Sequence, residues 1–391
     1  MSTRKSRIDK LRSRKIARNR REIMLSPVDS SMVLIIVFLL IFGLMAVFSA
    51  GTPEGIRVFN NPLHFAIKHT IFLVLGIFIL IKMSKVDYKK LRPYAVKFAF
   101  VVIGLLLACK VPGIGVTSYG ATRWIAIGPL TIQPSELASL SCVLLAASAL
   151  ADAKSILDEK LIKYFALIGI MTVLVLVQPK LSVAILLGLT CFGMMVVAGV
   201  SLRLLTFAAM TMLPVLYYKI AATPYQLARI TGWLNPWADA QGTGYNLIQS
   251  WYAVASGGFF GVGFGCSKQK LFWLPFGYTD FIYAVIAEEL GFIGSVLLIG
   301  MFLAFIHKGF QIASRCGDRF GQLLAFGITF IIGAQGLMNM SVALGVMPAT
   351  GVTLPLISYG GSSLMITLAM LGILLNISRK RIRKIYPDGA E

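Results

Sequence analysis

Runs of about twenty apolar residues recur from one end of this chain to the other, and a run of that length crosses the hydrocarbon of a bilayer as one helix. Ten such runs can be counted: residues 31–50, 65–83, 94–109, 134–151, 161–178, 181–199, 203–222, 279–305, 321–345 and 355–378. Only 14% of the 391 residues are charged and 57% are hydrophobic, whereas soluble domains carry about a quarter charged residues. The same numbers exclude intrinsic disorder, which needs few apolar residues and a high charge density. A transmembrane barrel is excluded too, because its strands alternate apolar and polar residues over about ten positions. The expected fold class is an all-α polytopic membrane protein with about ten transmembrane helices.

The net charge of +21 is concentrated where it orients such a protein. Residues 1–21 hold ten Lys or Arg against the single Asp9, and Arg379, Lys380, Arg381, Arg383 and Lys384 follow the last apolar run. Basic clusters beside membrane spans act as topology determinants and anionic-lipid contacts, so nucleic acid is not an expected partner. With an even number of spans and both termini cytoplasmic, most of the 37 Lys and Arg fall on the inner side. The expected layout is a basic tail at 1–28, a transmembrane domain at 29–378 and a second basic tail at 379–391. The first span is too long for a signal-peptide core, and Phe48 before Ser49-Ala50 spoils a cleavage site.

Two outer segments are too long to be turns, 110–133 and 223–278, the second lying between helices seven and eight. It carries Trp233, Trp237, Trp251 and Trp273, and a long aromatic loop in a compact protein is usually functional. The five cysteines have no metal spacing and read as buried hydrophobes. No internal repeat is visible.

An acidic residue in or at the edge of a membrane is costly and therefore a functional candidate. Asp280, at the start of the eighth span, stands out: the helix N-terminus favours its ionised form while an apolar surround raises its pKa, which suits a general base. A helix cap is the plain structural alternative. Glu288 and Glu289 lie two turns deeper and read as a polar network between helices. On the same outer face Arg123, Lys268 and Lys270 go against the charge asymmetry and suit a pyrophosphate headgroup, or else are snorkelling interfacial residues. Gln133-Pro134-Ser135-Glu136 has the form of a helix start. Ser358-Tyr359-Gly360-Gly361-Ser362-Ser363 puts paired glycines inside a span, where they permit close approach or a break. There is no Ser–His–Asp set, no phosphate-binding glycine loop and no metal motif.

These segments, read in order, resemble the SEDS family (shape, elongation, division and sporulation), the FtsW/RodA/SpoVE-type peptidoglycan glycosyltransferases. The likeness is carried by Gly120-Ala121-Thr122-Arg123-Trp124-Ile125, Gln133-Pro134-Ser135-Glu136-Leu137, Asn235-Pro236-Trp237, Gly242-Thr243-Gly244-Tyr245 and Ser267-Lys268-Gln269-Lys270. Thr279-Asp280-Phe281-Ile282, Ala287-Glu288-Glu289-Leu290-Gly291, Asn339 and Pro355-Leu356-Ile357-Ser358-Tyr359-Gly360-Gly361 complete it. It runs from about residue 29 to 380, and the spellings are closer to the division type than to the elongation type. Three departures stand out: Pro275-Phe276-Gly277-Tyr278 replaces the usual Pro-Glu-x-His, Gln178-Pro179-Lys180 replaces Gln-Pro-Asp, and Ser139 stands where a lysine is usual.

The resemblance implies an enzyme of the cytoplasmic membrane that polymerises lipid II on the outer face, using undecaprenyl-pyrophosphate-linked glycan, with Asp280 as the catalytic residue. It implies a class B penicillin-binding protein transpeptidase as partner, together with other division proteins. The candidate substrate-binding set is Arg123, Trp124, Lys268, Lys270, Glu136, Ser358, Gly360, Gly361 and Asn339. A divalent cation, Mg or Mn, is the one cofactor this chemistry would admit, with no ligands assigned. The alternatives are a flippase for the lipid-linked precursor and a non-catalytic scaffold of the division machinery; polar residues concentrated on one face favour surface chemistry over a path through the bilayer.

Overall fold

A computed structural model describes residues 21–25, 27–118, 121–127, 130–153, 158–178 and 180–384. Most of the expected basic tail at 1–28, part of the second tail, and Gly120 of the first motif lie outside the described residues. Among the described residues, ten helices are long and apolar enough to cross a membrane. They are α1 (Ser30–Phe59), α2 (His64–Lys85), a 3₁₀ turn at Tyr88–Tyr94 running into α3 (Ala95–Ala108), α4 (Pro134–Asp152), α5 (Glu159–Val177), α6 (Leu181–Ala198) and α7 (Leu202–Ala221). After the second long connection come α10 (Ile282–Arg315), α11 (Arg319–Ala343) and α12 (Gly361–Ser378). The protein is a multi-pass membrane protein.

Helix starts follow local chemistry. Asp29 and Asp318 accept hydrogen bonds from the backbone N–H groups of Met32 (3.2 Å) and Gly321 (3.0 Å), three residues on, and so cap α1 and α11. Pro134 opens α4, where its missing N–H costs nothing. The interior of the bundle is formed by α4, α11 and α12, while α7 is almost entirely exposed. In lipid, helices associate through close packing rather than through release of water. Glycine supplies that closeness: a Cβ on Gly372 of α12 would lie 2.6 Å from the Leu80 carbonyl of α2.

The two long connections contain regular structure in their described residues. Strands β2 (Gly115–Ser118), β3 (Ala121–Ile127) and β4 (Leu130–Ile132) form an antiparallel sheet in the order β2-β3-β4. The second segment contains α8 (Pro224–Leu234), a 3₁₀ turn at Pro236–Asp239 and α9 (Tyr245–Gly257). It is tied down by polar contacts to the end of α11: Trp233 Nε1 donates to the Gly345 carbonyl (2.9 Å) and Ser250 Oγ to the Ala343 carbonyl (2.6 Å). At the opposite ends of the chain, β1 (Arg21–Leu25) pairs antiparallel with β5 (Lys380–Lys384). Both ends of the described chain are therefore at the same end of the bundle, as an even number of spans requires.

The first helix runs on to Phe59 and the eighth to Arg315, past their sequence boundaries, and two further departures shape the site. The tenth helix starts at Gly361, leaving residues 355–360 irregular. The eighth starts at Ile282, so Asp280 precedes it, and it is broken at Gly291 (φ 65°, ψ −161°). The chain at 258–263 inserts at this break: the N–H groups of Val262 and Gly263 reach the carbonyls of Glu288 and Glu289, and those of Phe292 and Ile293 reach Gly258 and Phe259. An inserted strand of backbone thus replaces the hydrogen bonds the helix gives up, which makes the break tolerable in a water-poor setting.

Candidate active site

The site is built on the irregular stretch 349–359, whose main chain is pinned by side chains from several elements. Arg229 Nη1 of α8 donates to the Ala349 carbonyl (3.1 Å), and Ser182 Oγ at the start of α6 donates to that of Thr350 (2.8 Å). From α11, Asn339 Nδ2 donates to the Val352 carbonyl (2.7 Å) and Gln335 Nε2 to that of Thr353 (3.1 Å). Ser358 Oγ accepts from the Leu354 N–H (2.9 Å). Backbone polar groups without a helix partner are satisfied one by one.

The same residues hold the Asp280 segment. Asn339 Nδ2 also donates to the Asp280 carbonyl (2.7 Å), Ser358 Oγ donates to that of Thr279 (2.5 Å), and the Tyr359 N–H donates to that of Tyr278 (3.0 Å). Two motifs nearly eighty residues apart in sequence are thereby clamped together. Gly351 lies against the Asp280 side chain: a Cβ there would sit 3.5 Å from Asp280 Oδ2 and 3.6 Å from both terminal nitrogens of Arg229. Its φ of +67° also requires glycine. The carboxylate and the guanidinium flank the same small volume.

Asp280 keeps some accessible surface, with protein packed around its carboxyl on most sides. Burial pushes its pKa above the ordinary carboxylate value, and the neighbouring cations Lys180, Arg229 and Arg123 oppose that rise without cancelling it. Arg123, on β3, feels Tyr225, Arg229 and Asp280 in turn. Glu136, in the first turn of α4, lies 3.9 Å from Lys180 Nζ and accepts from Ser363 Oγ of α12 at 3.3 Å. The Arg229 guanidinium is stacked over the Tyr225 ring at 4.6 Å.

The structure thus brings together Asp280, Arg123, Glu136, Asn339 and Ser358 from the expected set. Trp124 is half-buried beside Arg123 on β3, paired with Val116. Gly360 precedes α12 in extended backbone, and Gly361 lets α12 approach α2, since a Cβ there would lie 2.4 Å from the Phe72 ring. The two lysines go elsewhere. Lys268 is exposed, and its main-chain N–H donates to Glu288 Oε1 at 2.9 Å. Lys270 forms a buried ion pair with Glu289 (2.7 Å), shared with Ser49 Oγ of α1 at 2.8 Å, two turns along α10 from Asp280. It lines a cavity of about 440 Å³ bounded by Phe48, Ser49, Phe264 and Leu271. The two glutamates have separate partners: Glu289 accepts from Ser49 Oγ of α1 and so joins two helices, whereas Glu288 accepts from Ser267 Oγ and from the main-chain N–H groups of Lys268 and Gln269, all in the segment before α10.

Sequence reasoning passed over Arg229 and Gln226 and noted Lys180 only as a departure from the usual Gln-Pro-Asp. The signal available for Arg229 was its place on an amphipathic outer helix, four residues after Tyr225. Gln226 shares a helix face with Arg229 and Trp233, is 5% exposed, and has no hydrogen-bond partner for either amide atom among the described residues. Thr350 Oγ1 and Asn339 Oδ1 are likewise unpartnered. Buried polar atoms left open beside a charged cluster are what a hydroxyl-rich ligand would satisfy. Among the described residues, no three His, Cys, Asp or Glu side chains meet to hold a metal ion.

Comparison with known proteins agrees with this architecture. The family described as a cell cycle protein and spanning FtsW, RodA and SpoVE matches residues 30–383. A probable peptidoglycan glycosyltransferase FtsW of Geobacter metallireducens is 38% identical over 356 residues, 90% of this chain and 95% of that protein. Stage V sporulation protein E of Bacillus subtilis is 36% identical over 354 residues, 90% and 97% of the two chains. Among solved structures, a chain of a peptidoglycan synthase complex that coordinates polymerisation and crosslinking superposes with a TM-score of 0.74 at 30% identity, covering 90% of this chain and 98% of its own. The rod shape determining protein RodA of Thermus thermophilus does so at 0.66 and 27% identity, covering 90% and 97%. With a family model matched over residues 30–383 and relatives 36–38% identical over nine-tenths of its length, this chain belongs to the FtsW/RodA/SpoVE family.

Proposed function

We propose that this chain, a peptidoglycan glycosyltransferase by its family, polymerises lipid II at the outer face of the cytoplasmic membrane with Asp280 as general base. The observation that carries the reading is a half-buried carboxylate fixed through its main chain and faced by cations. The 4-hydroxyl of the acceptor sugar attacks the anomeric carbon of the lipid-linked donor and passes its proton to Asp280. The bond from that carbon to the phosphate oxygen breaks, and its electron pair leaves with the polyprenyl pyrophosphate. An activated leaving group of this kind needs positive charge rather than a second carboxylic acid. Arg123 and Arg229 supply that charge, and the open amide of Gln226 and hydroxyl of Thr350 suit the sugar. The relative solved as a peptidoglycan synthase complex, and the FtsW relatives, support a crosslinking partner of the class B penicillin-binding type and a division role.

Two outcomes test this reading in a reconstituted polymerisation assay with lipid II and the partner. Asp280 must be ionised to act, so the rate falls as pH drops through its pKa. Burial raises that pKa, which places the acid limb of kcat above about 3.9, the value for an unperturbed aspartate; an acid limb at or below that value rejects Asp280 as base. The second concerns Arg123. Arg123→Ala weakens donor binding by about tenfold or more, and Arg123→Lys recovers only part of it, because a guanidinium grips phosphate in a bidentate fork. Equal losses in the two variants would exclude that fork.

A further inference from the structure

Five ionisable side chains converge ahead of α10: the carboxylates Glu136 and Asp280 and the cations Arg123, Lys180 and Arg229. We propose that Lys180 takes the place a divalent cation would hold against the substrate pyrophosphate, so that this chain engages the pyrophosphate with no bound metal ion. The inference rests on the glycosyltransferase reading, which supplies the pyrophosphate.

The donor set speaks against a metal and for an ammonium. Magnesium takes six oxygens in near-octahedral geometry, and protein sites usually provide one or two carboxylates for it. Of the two carboxylates here, Glu136 already faces Lys180 at 3.9 Å and Ser363 at 3.3 Å, and Asp280 is the base. A divalent ion would also join three fixed positive charges around a net positive cluster, whereas the pyrophosphate of the substrate balances them.

Lys180 itself is poised for an anion. Its side chain is only 12% exposed, and its partner Glu136 stands at 3.9 Å, an ion-pair distance longer than a hydrogen bond. The three N–H donors of the ammonium are therefore not taken up by the carboxylate that holds it. Two residues on, Ser182 is bonded to the Thr350 carbonyl, which ties the Lys180 main chain to the segment where Gly351 faces Asp280 and Arg229. The ammonium thus belongs to the same rigid unit as the base and the guanidinium.

The test uses the full chain in nanodiscs, with two readouts in the presence of EDTA. The first is binding of a short-chain polyprenyl pyrophosphate; the second is lipid II polymerisation with the partner transpeptidase present. Wild-type protein is expected to bind equally, within about twofold, with EDTA or with millimolar Mg²⁺ or Mn²⁺. Lys180→Ala and Lys180→Met should bind at least tenfold more weakly in EDTA, with melting temperatures and elution profiles like wild type, while Lys180→Arg stays within about threefold. Wild-type binding that collapses tenfold in EDTA and returns with Mg²⁺ or Mn²⁺ overturns the proposal, as does undiminished binding by Lys180→Ala. Metal-free, Lys180-dependent binding by a protein that never makes glycan would reject the polymerase reading instead, and leave Lys180 as the pyrophosphate contact.

Discussion

Replacing Asp280 by Asn or Ala lowers the rate of lipid II polymerisation by about a hundred- to ten-thousand-fold, the range associated with loss of a general base, while leaving the protein folded. The Asp280 segment is held through main-chain carbonyls, by Asn339 at Asp280 and by Ser358 at Thr279, so shortening or neutralising the side chain removes no anchor. Stability should even move the other way. Because burial raises the folded-state pKa, the ionised form costs stability at neutral pH. That cost is fully present above the folded-state pKa and fades as pH falls toward the unfolded value. Asp280→Asn should therefore melt at or above the wild-type temperature at pH 7.5, with the difference shrinking in acid. A variant that keeps wild-type glycan synthesis removes Asp280 as base; one that is inactive only because its melting temperature collapses makes the residue structural.

Gly291→Ala should cause the largest loss of folded protein among single methyl additions to α10. The residue adopts φ 65° and ψ −161°, a region essentially restricted to glycine and costing other residues about 1–3 kcal/mol. The added methyl would also lie 2.3 Å from the Gly261 nitrogen and 2.7 Å from the Phe259 carbonyl oxygen. Both are main-chain atoms, so no side chain can swing aside. Relief requires withdrawing the inserted chain at 258–263, and with it the hydrogen bonds to the Glu288 and Glu289 carbonyls. Gly300→Ala on the same helix is the control: nothing lies within 4 Å of its Cβ, and a helical alanine gains about 0.5–1 kcal/mol over glycine. The yield of monodisperse protein and its melting temperature separate the two. A Gly291→Ala variant as stable as Gly300→Ala would show that the break is dispensable.

How far the sequence reads depends on the range of the interaction involved. Apolar run length is local, and it located all ten spans, because a bilayer demands an unbroken apolar helix of fixed length whatever packs beside it. The helix start at Pro134 and the interhelical contact of Glu289 were legible for similar reasons: a proline with a following acid marks a first turn, and buried carboxylates must find partners; Glu288 finds its own in the segment 267–269 rather than on a neighbouring helix. Asp280 was visible as an acid at a span mouth, with a helix cap as the competing local explanation.

Tertiary structure decided the rest. Hydropathy cannot show that α10 breaks at Gly291 or that α12 waits until Gly361 to begin, since the first depends on distant backbone and the second on distant side chains replacing the helix hydrogen bonds. Two cationic candidates changed company for the same reason. Lys270 looked like a pyrophosphate ligand by position, and its ammonium is held by Glu289 and Ser49. Lys180, visible in the sequence only as a reversed charge, faces Glu136 and the Asp280 carboxylate. An apolar run is set by the chain's own solvent, so the sequence alone determines it; which charge meets which is set by folding across hundreds of residues, and only the assembled bundle determines that.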